Sequence, residues 1–168
     1  MKLDLKDIIL VPGAVLPFQF QMDLSNLEFG GETPITDPVE VTGQVRNMAG
    51  ALVLSAQART TLSLVCDRCT KPFRREKTID YETLLADHLE QEDSQEDIVL
   101  LEGDSLDVGA LMADTFVLEM DTKNLCTEDC KGLCAGCGAD LNEGPCRCEK
   151  QVDPRLAGLA KFFDQHDE

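Results

Sequence analysis

The sequence predicts an α+β fold, with a mainly antiparallel β domain, one or two helices and a C-terminal cysteine-rich module. Three observations lead to this prediction. Apolar and polar residues alternate over residues 52–64, as in a strand with one buried face. After Asp107 the apolar spacing becomes helical, and six of the eight cysteines crowd into residues 126–148. We therefore expect a β-rich core domain at 1–121 and, packed on it, a module at 122–168 containing the cysteine cluster and a last helix.

Shorter runs of the same alternation predict the first two strands. Residues 17–24 and 39–45 each alternate apolar with polar side chains, which is the period of a half-buried strand. Residues 47–50, Asn-Met-Ala-Gly, have the composition of a turn. These two runs therefore precede the long strand at 52–64 as its neighbours in the sequence.

The long strand is predicted to end in a hairpin. Residues 66–72 form its turn and 73–81 its return strand. Residues 87–97 hold six acids and no Lys or Arg, which indicates an acidic, solvated loop. The short apolar run 98–101 is a candidate for one further strand.

Two helices are predicted in the C-terminal half. Apolar residues recur at positions i, i+3, i+4, i+7 and i+8 from Val108 to Phe116, and Asp104 or Ser105 is available as the N-cap. At residues 153–154, Asp-Pro supplies an N-cap and a first-turn proline for the last helix.

The spacing of the cysteines indicates metal binding. Short-spaced cysteine pairs bring thiolates together around a tetrahedral metal, most often Zn²⁺. The C-terminal module is therefore predicted to bind zinc, with one or two structural ions in the protein as a whole. The candidate ligands are Cys66, Cys69, Cys126, Cys130, Cys134, Cys137, Cys146 and Cys148.

Two pairings of these cysteines fit the spacing. In the first, one Cys₄ site is formed by Cys134, Cys137, Cys146 and Cys148. A second site then combines Cys66 and Cys69 with Cys126 and Cys130. In the crossed pairing, Cys66 and Cys69 join Cys134 and Cys137 instead. An iron–sulfur cluster, free or disulfide-bonded thiols, and a redox pair at residues 66–69 are the alternatives, although ferredoxin spacings are absent and the flanks of the pair are strands.

Catalysis is not indicated. A closed Cys₄ site leaves no coordination position for water or substrate, and the chain has no G-x-S-x-G, H-E-x-x-H or P-loop motif. His88 and His166 fall in acidic segments. We therefore expect a protein that is not an enzyme and has no small-molecule substrate.

The charge balance points to basic partners. The chain has 15 Lys and Arg against 32 Asp and Glu, a net charge of −17, which repels nucleic acid at long range and attracts cations.

The N-terminus lacks the pattern of a secretory signal, and no run approaches the ~18 apolar residues needed to cross a bilayer. We expect a cytoplasmic protein that does not bind membranes.

A basic cluster surrounds the C-x-x-C turn of the hairpin. Its cations either stabilise a doubly negative tetrathiolate metal site from within the protein or contact RNA phosphates. The cluster comprises Arg68, Lys71, Arg74, Arg75 and Lys77.

Three segments follow the β-rich half in the order CDRCTKPF, CTEDCKGLCAGCGADLNEGPCRC and DPRLAGLAKFF. With these segments in this order, the chain resembles the YceD family of large ribosomal RNA subunit accumulation proteins. The resemblance implies a non-enzymatic factor in 23S rRNA accumulation or processing and in large ribosomal subunit assembly. It also implies 23S rRNA or a pre-ribosomal particle as the partner. One alternative is an acidic carrier for a basic large-subunit ribosomal protein, and another is a thiol redox protein.

Overall fold

The computed structural model of the protein describes residues 1–87 and 98–148. The predicted C-terminal helix, and the predicted acidic loop apart from Asp87, lie outside the described residues. Within the described residues, no helix is both long enough and apolar enough to cross a membrane.

The chain divides into two compact units. The core unit takes Met1–Leu64 and Phe73–Thr122, and the cysteine unit takes Val65–Pro72 and the chain from Lys123 onward. All eight cysteines belong to the cysteine unit. The hairpin tip thus groups with the cysteines rather than with the range 1–121 that the sequence analysis assigned to the core domain.

Seven strands and two helices form the described fold, which confirms the α+β class. The five-stranded sheet has the order β2-β3-β4-β5-β6, and β1 pairs with β7. In chain order the elements are β1 (Lys2–Asp4), α1 (Lys6–Ile9), β2 (Val15–Met22), β3 (Val39–Met48), β4 (Ala51–Val65), β5 (Pro72–Ala86), β6 (Ile98–Leu100), β7 (Ser105–Asp107) and α2 (Val108–Leu118).

The alternation seen in the sequence sets which face of the sheet is buried. In β4, every second residue from Leu52 to Leu64 is buried and the residues between them are not, so the predicted one-sided strand is confirmed. Val108, Met112 and Phe116 of α2 have no exposed surface and belong to the same apolar cluster as the buried sheet face. Burial of these side chains is the main stabilising contribution to the core unit.

The predicted strand at 98–101 is present but parallel. β6 pairs with the end of β5 in the parallel sense, Leu84 lying opposite Ile98, so the sheet is mixed rather than wholly antiparallel.

The predicted N-cap of α2 is wrong. The Asp107 carboxylate, not Asp104 or Ser105, accepts the hydrogen bond from the Ala110 backbone N–H at 3.1 Å. Residues 105–107 pair with β1, so the helix begins only after that pairing ends. The Ala110 N–H also lowers the pKa of the Asp107 carboxyl, as expected for a carboxylate at a helix N-terminus.

Asn47, near the end of β3, is a buried polar side chain with 1% of its surface exposed. Its Nδ2 donates to the carbonyls of Ile8 and Ile9, each at 2.8 Å. Its Oδ1 accepts from the Gly50 backbone N–H at 2.9 Å. One amide therefore satisfies carbonyls at the end of α1 and an N–H in the β3–β4 turn.

We predict that Asn47→Leu lowers the free energy of unfolding of the core unit by about 2–4 kcal/mol, because it removes all three hydrogen bonds at nearly constant volume. Urea unfolding followed by far-UV circular dichroism measures the change. The control, Met48→Leu, alters a neighbouring side chain that is 55% exposed, and should shift stability by less than about 0.5 kcal/mol. Equal stability of the two variants would contradict the role of Asn47.

Candidate metal centres

The hairpin tip between β4 and β5 is a tight turn that begins at Cys66. The Cys66 N–H donates to the Lys71 carbonyl at 3.0 Å, and the Thr70 N–H donates back to the Cys66 carbonyl at 2.9 Å. Thr70 has φ of 57°, a left-handed conformation that a β-branched residue rarely adopts. The turn brings the thiols of Cys66 and Cys69 to the same side.

The second C-x-x-C segment repeats this turn. The Cys134 N–H donates to the Ala139 carbonyl at 2.8 Å, and the Gly138 N–H donates to the Cys134 carbonyl at 2.8 Å. Gly138 has φ of 72°, at the position equivalent to Thr70, and glycine adopts it without steric cost. Two equivalent turns thus each present a cysteine pair.

The first turn contributes to an inner tetrad, made of Cys66, Cys69, Cys126 and Cys130. The four Sγ atoms lie within 4.8 Å of one another. The sulfurs of Cys66 and Cys130 are 3.7 Å apart, and those of Cys69 and Cys126 are 3.6 Å apart. Cys66, Cys69 and Cys130 expose 0%, 2% and 1% of their surface.

Reciprocal hydrogen bonds bring the second pair of inner cysteines to the turn. The Asp67 N–H donates to the Asn124 carbonyl at 2.8 Å, and the Asn124 N–H donates to the Asp67 carboxylate at 2.6 Å. The Arg68 guanidinium donates to the Cys130 carbonyl at 2.7 Å. Residues on both sides of Cys126 are therefore held by the segment between Cys66 and Cys69.

The second turn contributes to an outer tetrad, made of Cys134, Cys137, Cys146 and Cys148. These Sγ atoms also lie within 4.8 Å of one another. The sulfur of Cys134 is 3.3 Å from those of Cys146 and Cys148, which are 3.4 Å from each other. Unlike the inner tetrad, this one is partly open to solvent, and Cys137 is exposed.

The structure adopts the first of the two pairings that the spacing allowed, and both tetrads could hold a metal ion. A tetrahedral Zn²⁺ site with Zn–S bonds of about 2.3 Å places its sulfurs about 3.8 Å apart, close to the separations given above. All eight cysteines are free, whereas a disulfide would require sulfurs about 2 Å apart.

The electrostatics of the outer tetrad favour one thiolate and oppose more. Hydrogen bonds from the backbone of Gly136 and Cys137 lower the pKa of Cys134 to about 6. The neighbouring Cys134 sulfur raises the pKa of Cys148 to about 12. A cation would remove this mutual repulsion and allow all four groups to ionise.

The inner tetrad behaves in the same way. Burial opposes ionisation of Cys66, but hydrogen bonds from backbone groups, first that of Cys126, lower its pKa to about 6. The backbone of Lys71 lowers the pKa of Cys69, yet burial and the Cys66 sulfur outweigh it and raise the pKa to about 12. Each tetrad is therefore arranged to gain from a bound cation.

The predicted basic cluster is divided between the two units. In the cysteine unit, the Lys71 ammonium contacts the carboxylates of Asp140 at 2.7 Å and Glu143 at 2.9 Å. This pairing raises the pKa of Lys71, chiefly through Asp140, and lowers that of Asp140. Arg68 is the residue that holds the Cys130 carbonyl.

The other three members of the cluster lie in the core unit. Arg74 forms an ion pair with Asp37 at 2.6 Å, while Arg75 and Lys77 both contact Asp121, at 2.8 Å and 3.3 Å. Four of the five predicted RNA-binding residues are thus in ion pairs with acids. RNA contact through this cluster stays a prediction.

Sequence reasoning missed one residue at the inner tetrad. The Asn142 side-chain amide donates to the Cys130 sulfur at 3.5 Å. The composition of residues 140–144, Asp-Leu-Asn-Glu-Gly, indicates a turn but carries no signal for what that turn contacts.

We predict that iodoacetamide modifies Cys137 first and the buried Cys66, Cys69 and Cys130 last in the reduced, folded protein, because alkylation requires an accessible sulfur. Peptide mass spectrometry of timed, quenched samples gives the order. In strong denaturant, the control, this order should vanish. The same rate at all cysteines of the folded protein would contradict the burial described here.

Comparison with known proteins matches the chain to one family and to several relatives. The family model described as large ribosomal RNA subunit accumulation protein YceD matches residues 54–163. An uncharacterized protein of Mycobacterium tuberculosis strain H37Rv and one of Mycobacterium bovis are each 32% identical over 117 residues, which are 68% of this chain and 56% of those proteins. No solved structure matches the chain significantly.

A plant protein extends the similarity over more of the chain. The large ribosomal RNA subunit accumulation protein YCED homolog 1, chloroplastic, of Zea mays is 29% identical over 82% of this chain and 57% of its own length. The chain thus spans little more than half the length of these relatives. Because the family model covers most of the chain, including all eight cysteines, this protein belongs to the YceD family.

Proposed function

We propose that the protein is a non-enzymatic factor in 23S rRNA accumulation or processing and in assembly of the large ribosomal subunit. The family match over residues 54–163 is the observation that carries this proposal. The maize relative, whose name refers to large ribosomal RNA subunit accumulation, supports it. The proposed partner is 23S rRNA or a pre-ribosomal particle.

Each tetrad is proposed to hold one structural Zn²⁺. Thiolates are soft ligands that suit this ion, and a complete set of four leaves no position for water or substrate. When bound, zinc would neutralise the thiolates and fix the turns that present them. Its role would therefore be structural, in keeping with a protein that binds macromolecules rather than converting substrates.

A thiol redox function is supported less well. The Cys66 and Cys69 thiols expose 0% and 2% of their surface, and each has a further cysteine sulfur within 3.7 Å. A reactive redox pair ordinarily needs an accessible thiolate. The turn at residues 66–69 is better suited to holding a metal.

The charges favour an indirect effect on RNA, through a basic protein. Residues 65–72 and 123–148 hold five basic and five acidic side chains, so two tetrathiolate zinc sites would make this part of the chain negative. The acidic excess lies elsewhere, mainly in the core unit. We therefore propose, as the mode of action, an acidic carrier for a basic large-subunit ribosomal protein.

We predict two zinc ions per chain in the purified, reduced protein and loss of amide protection in the cysteine unit after their removal, because such sites couple metal binding to local folding. Elemental analysis gives the stoichiometry, and hydrogen exchange with and without a strong chelator gives the protection. Amides of β4 outside the hairpin tip serve as the internal control and should stay largely protected. Unchanged exchange at residues 124–142 after verified zinc removal would contradict the structural role.

We predict that the triple variant R68E/R74E/R75E binds a 23S rRNA fragment at low salt within about twofold of the wild type, because these cations already have intramolecular partners. Filter binding measures the affinity. Circular dichroism must show that the variant is folded, since the substitutions also break ion pairs.

The variant K123E/K131E/R147E, with the same change in charge, is the matched control. A loss of affinity of about tenfold or more confined to the first variant would establish direct RNA contact through the basic cluster. The carrier mode would also fail if no basic large-subunit ribosomal protein co-purified at low salt.

A further inference from the structure

Asn142 belongs by sequence to the outer tetrad but contacts the inner one. It lies in the segment between Cys137 and Cys146, which connects two outer ligands. Its Nδ2 nevertheless donates to the buried sulfur of Cys130, an inner ligand, at 3.5 Å. In a metal site, a side-chain N–H that donates to a ligating cysteine sulfur orients that ligand and strengthens metal binding.

The orientation of the Asn142 amide is fixed by its other partners. Its Oδ1 accepts from the Lys131 backbone N–H at 2.7 Å. Its Nδ2 also donates to Asp140 at 2.7 Å, and its backbone N–H donates to the same carboxylate at 2.8 Å. The carbonyl oxygen is thereby committed to a donor, which leaves the NH₂ group facing the sulfur.

Further contacts tie the outer segment to the inner turn. The Leu133 N–H donates to the Arg68 carbonyl at 3.0 Å. Lys71, in the inner turn, contacts Asp140 and Glu143 on either side of Asn142. The segment that closes the outer tetrad is therefore seated against the inner one.

The two tetrads differ in access to solvent. Three inner cysteines are buried, whereas in the outer tetrad Cys137 is exposed and the other three are partly exposed. A chelator or a competing ligand therefore reaches the outer sulfurs first. Loss of metal from the outer tetrad would release the segment that carries Asn142 and withdraw its donor from Cys130.

We propose that Asn142 makes metal retention in the inner tetrad depend on occupancy of the outer tetrad. Metal in the outer tetrad holds residues 138–145 in place, and this keeps the Asn142 N–H on the Cys130 thiolate. Loss of an outer-shell partner of this kind typically weakens metal affinity by about 10- to 100-fold. This inference rests on the proposed metal sites. It adds that the two sites bind metal as a coupled pair rather than independently.

The first test uses cadmium-113 NMR of the fully loaded protein. Two tetrathiolate resonances are expected. The one that Cys137→Ser removes or shifts most belongs to the outer tetrad, because this variant replaces one of its sulfur ligands. Asn142→Leu has a similar volume but no donor, so it should shift the inner resonance and leave the outer one in place. An inner resonance unchanged in Asn142→Leu would overturn the proposal.

The second test measures release of cadmium to excess chelator by loss of thiolate-to-metal absorption. Cys137→Ser should speed release from the inner tetrad about tenfold, and Asn142→Leu should do the same with the outer tetrad loaded. The double variant should be no faster than either single variant, because both remove the same contact. Unchanged inner release in Cys137→Ser, or additive effects in the double variant, would overturn the coupling.

Lys71→Met is the control for general loosening of the segment. It removes the ion pairs to Asp140 and Glu143 but keeps the Asn142 amide, so it should leave the inner resonance in place and change inner release by less than about twofold. Acceleration equal to that of Asn142→Leu would assign the coupling to the ion pairs and overturn the role of Asn142. Failure of the wild type to bind metal would overturn the proposed metal centres themselves, whereas independent release of two bound ions would overturn only their coupling.

Discussion

In the described part of the chain, two sets of four cysteine sulfurs each lie within 4.8 Å of one another. If all four sulfurs of a set were ionised, they would repel strongly unless a cation lay among them. In each set, backbone N–H groups favour the first ionisation and the sulfurs already present oppose the next. The same kind of turn occurs at residues 66–71 and 134–139. Each copy presents one cysteine pair to a second pair from elsewhere in the chain. Full ionisation of either tetrad would therefore require a cation, which the proposed Zn²⁺ would supply.

Four of the basic residues near the hairpin have acidic partners within the chain. Clustered in the sequence, Lys71, Arg74, Arg75 and Lys77 suggest a surface for phosphate. In the folded chain, Asp37, Asp121 and Asp140 lie against them. An ion pair at the surface contributes little stability, but it reduces the field that a polyanion would experience. Within an acidic chain, such pairing leaves the negative surplus as the dominant long-range signal.

Regular patterns could be predicted from the sequence, whereas remote contacts could not. The β4 strand was identifiable because its apolar residues alternate over many positions and one face is buried. The N-cap of α2 was misassigned because three acidic or hydroxyl residues precede the helix, and only the pairing of β7 with β1 selects Asp107. The strands β1 and β7, of three residues each, are too short to show a period.

The metal-ligating potential of the cysteines followed from their number and spacing, and their grouping followed only as one of two pairings, of which the structure adopts the first. Both pairings bring short-spaced cysteine pairs together, and the crossed pairing fits the spacing almost as well as the first. The contact between Asp67 and Asn124, which selects Cys126 and Cys130 as partners of the hairpin tip, depends on backbone geometry. Asn142 was missed for the same reason.

The inner tetrad joins cysteines that are far apart along the chain: Cys69 and Cys126 are separated by 57 residues. A metal bound there would close a loop that contains β5, β6, β7 and α2, and would restrict the unfolded chain as a disulfide does. By the chain-entropy relation for cross-links, closing a loop of this length is equivalent to about 4 kcal/mol. During synthesis Cys66 and Cys69 leave the ribosome before Cys126 and Cys130 do. This cross-link could therefore form only after the whole sheet and α2 have been synthesised.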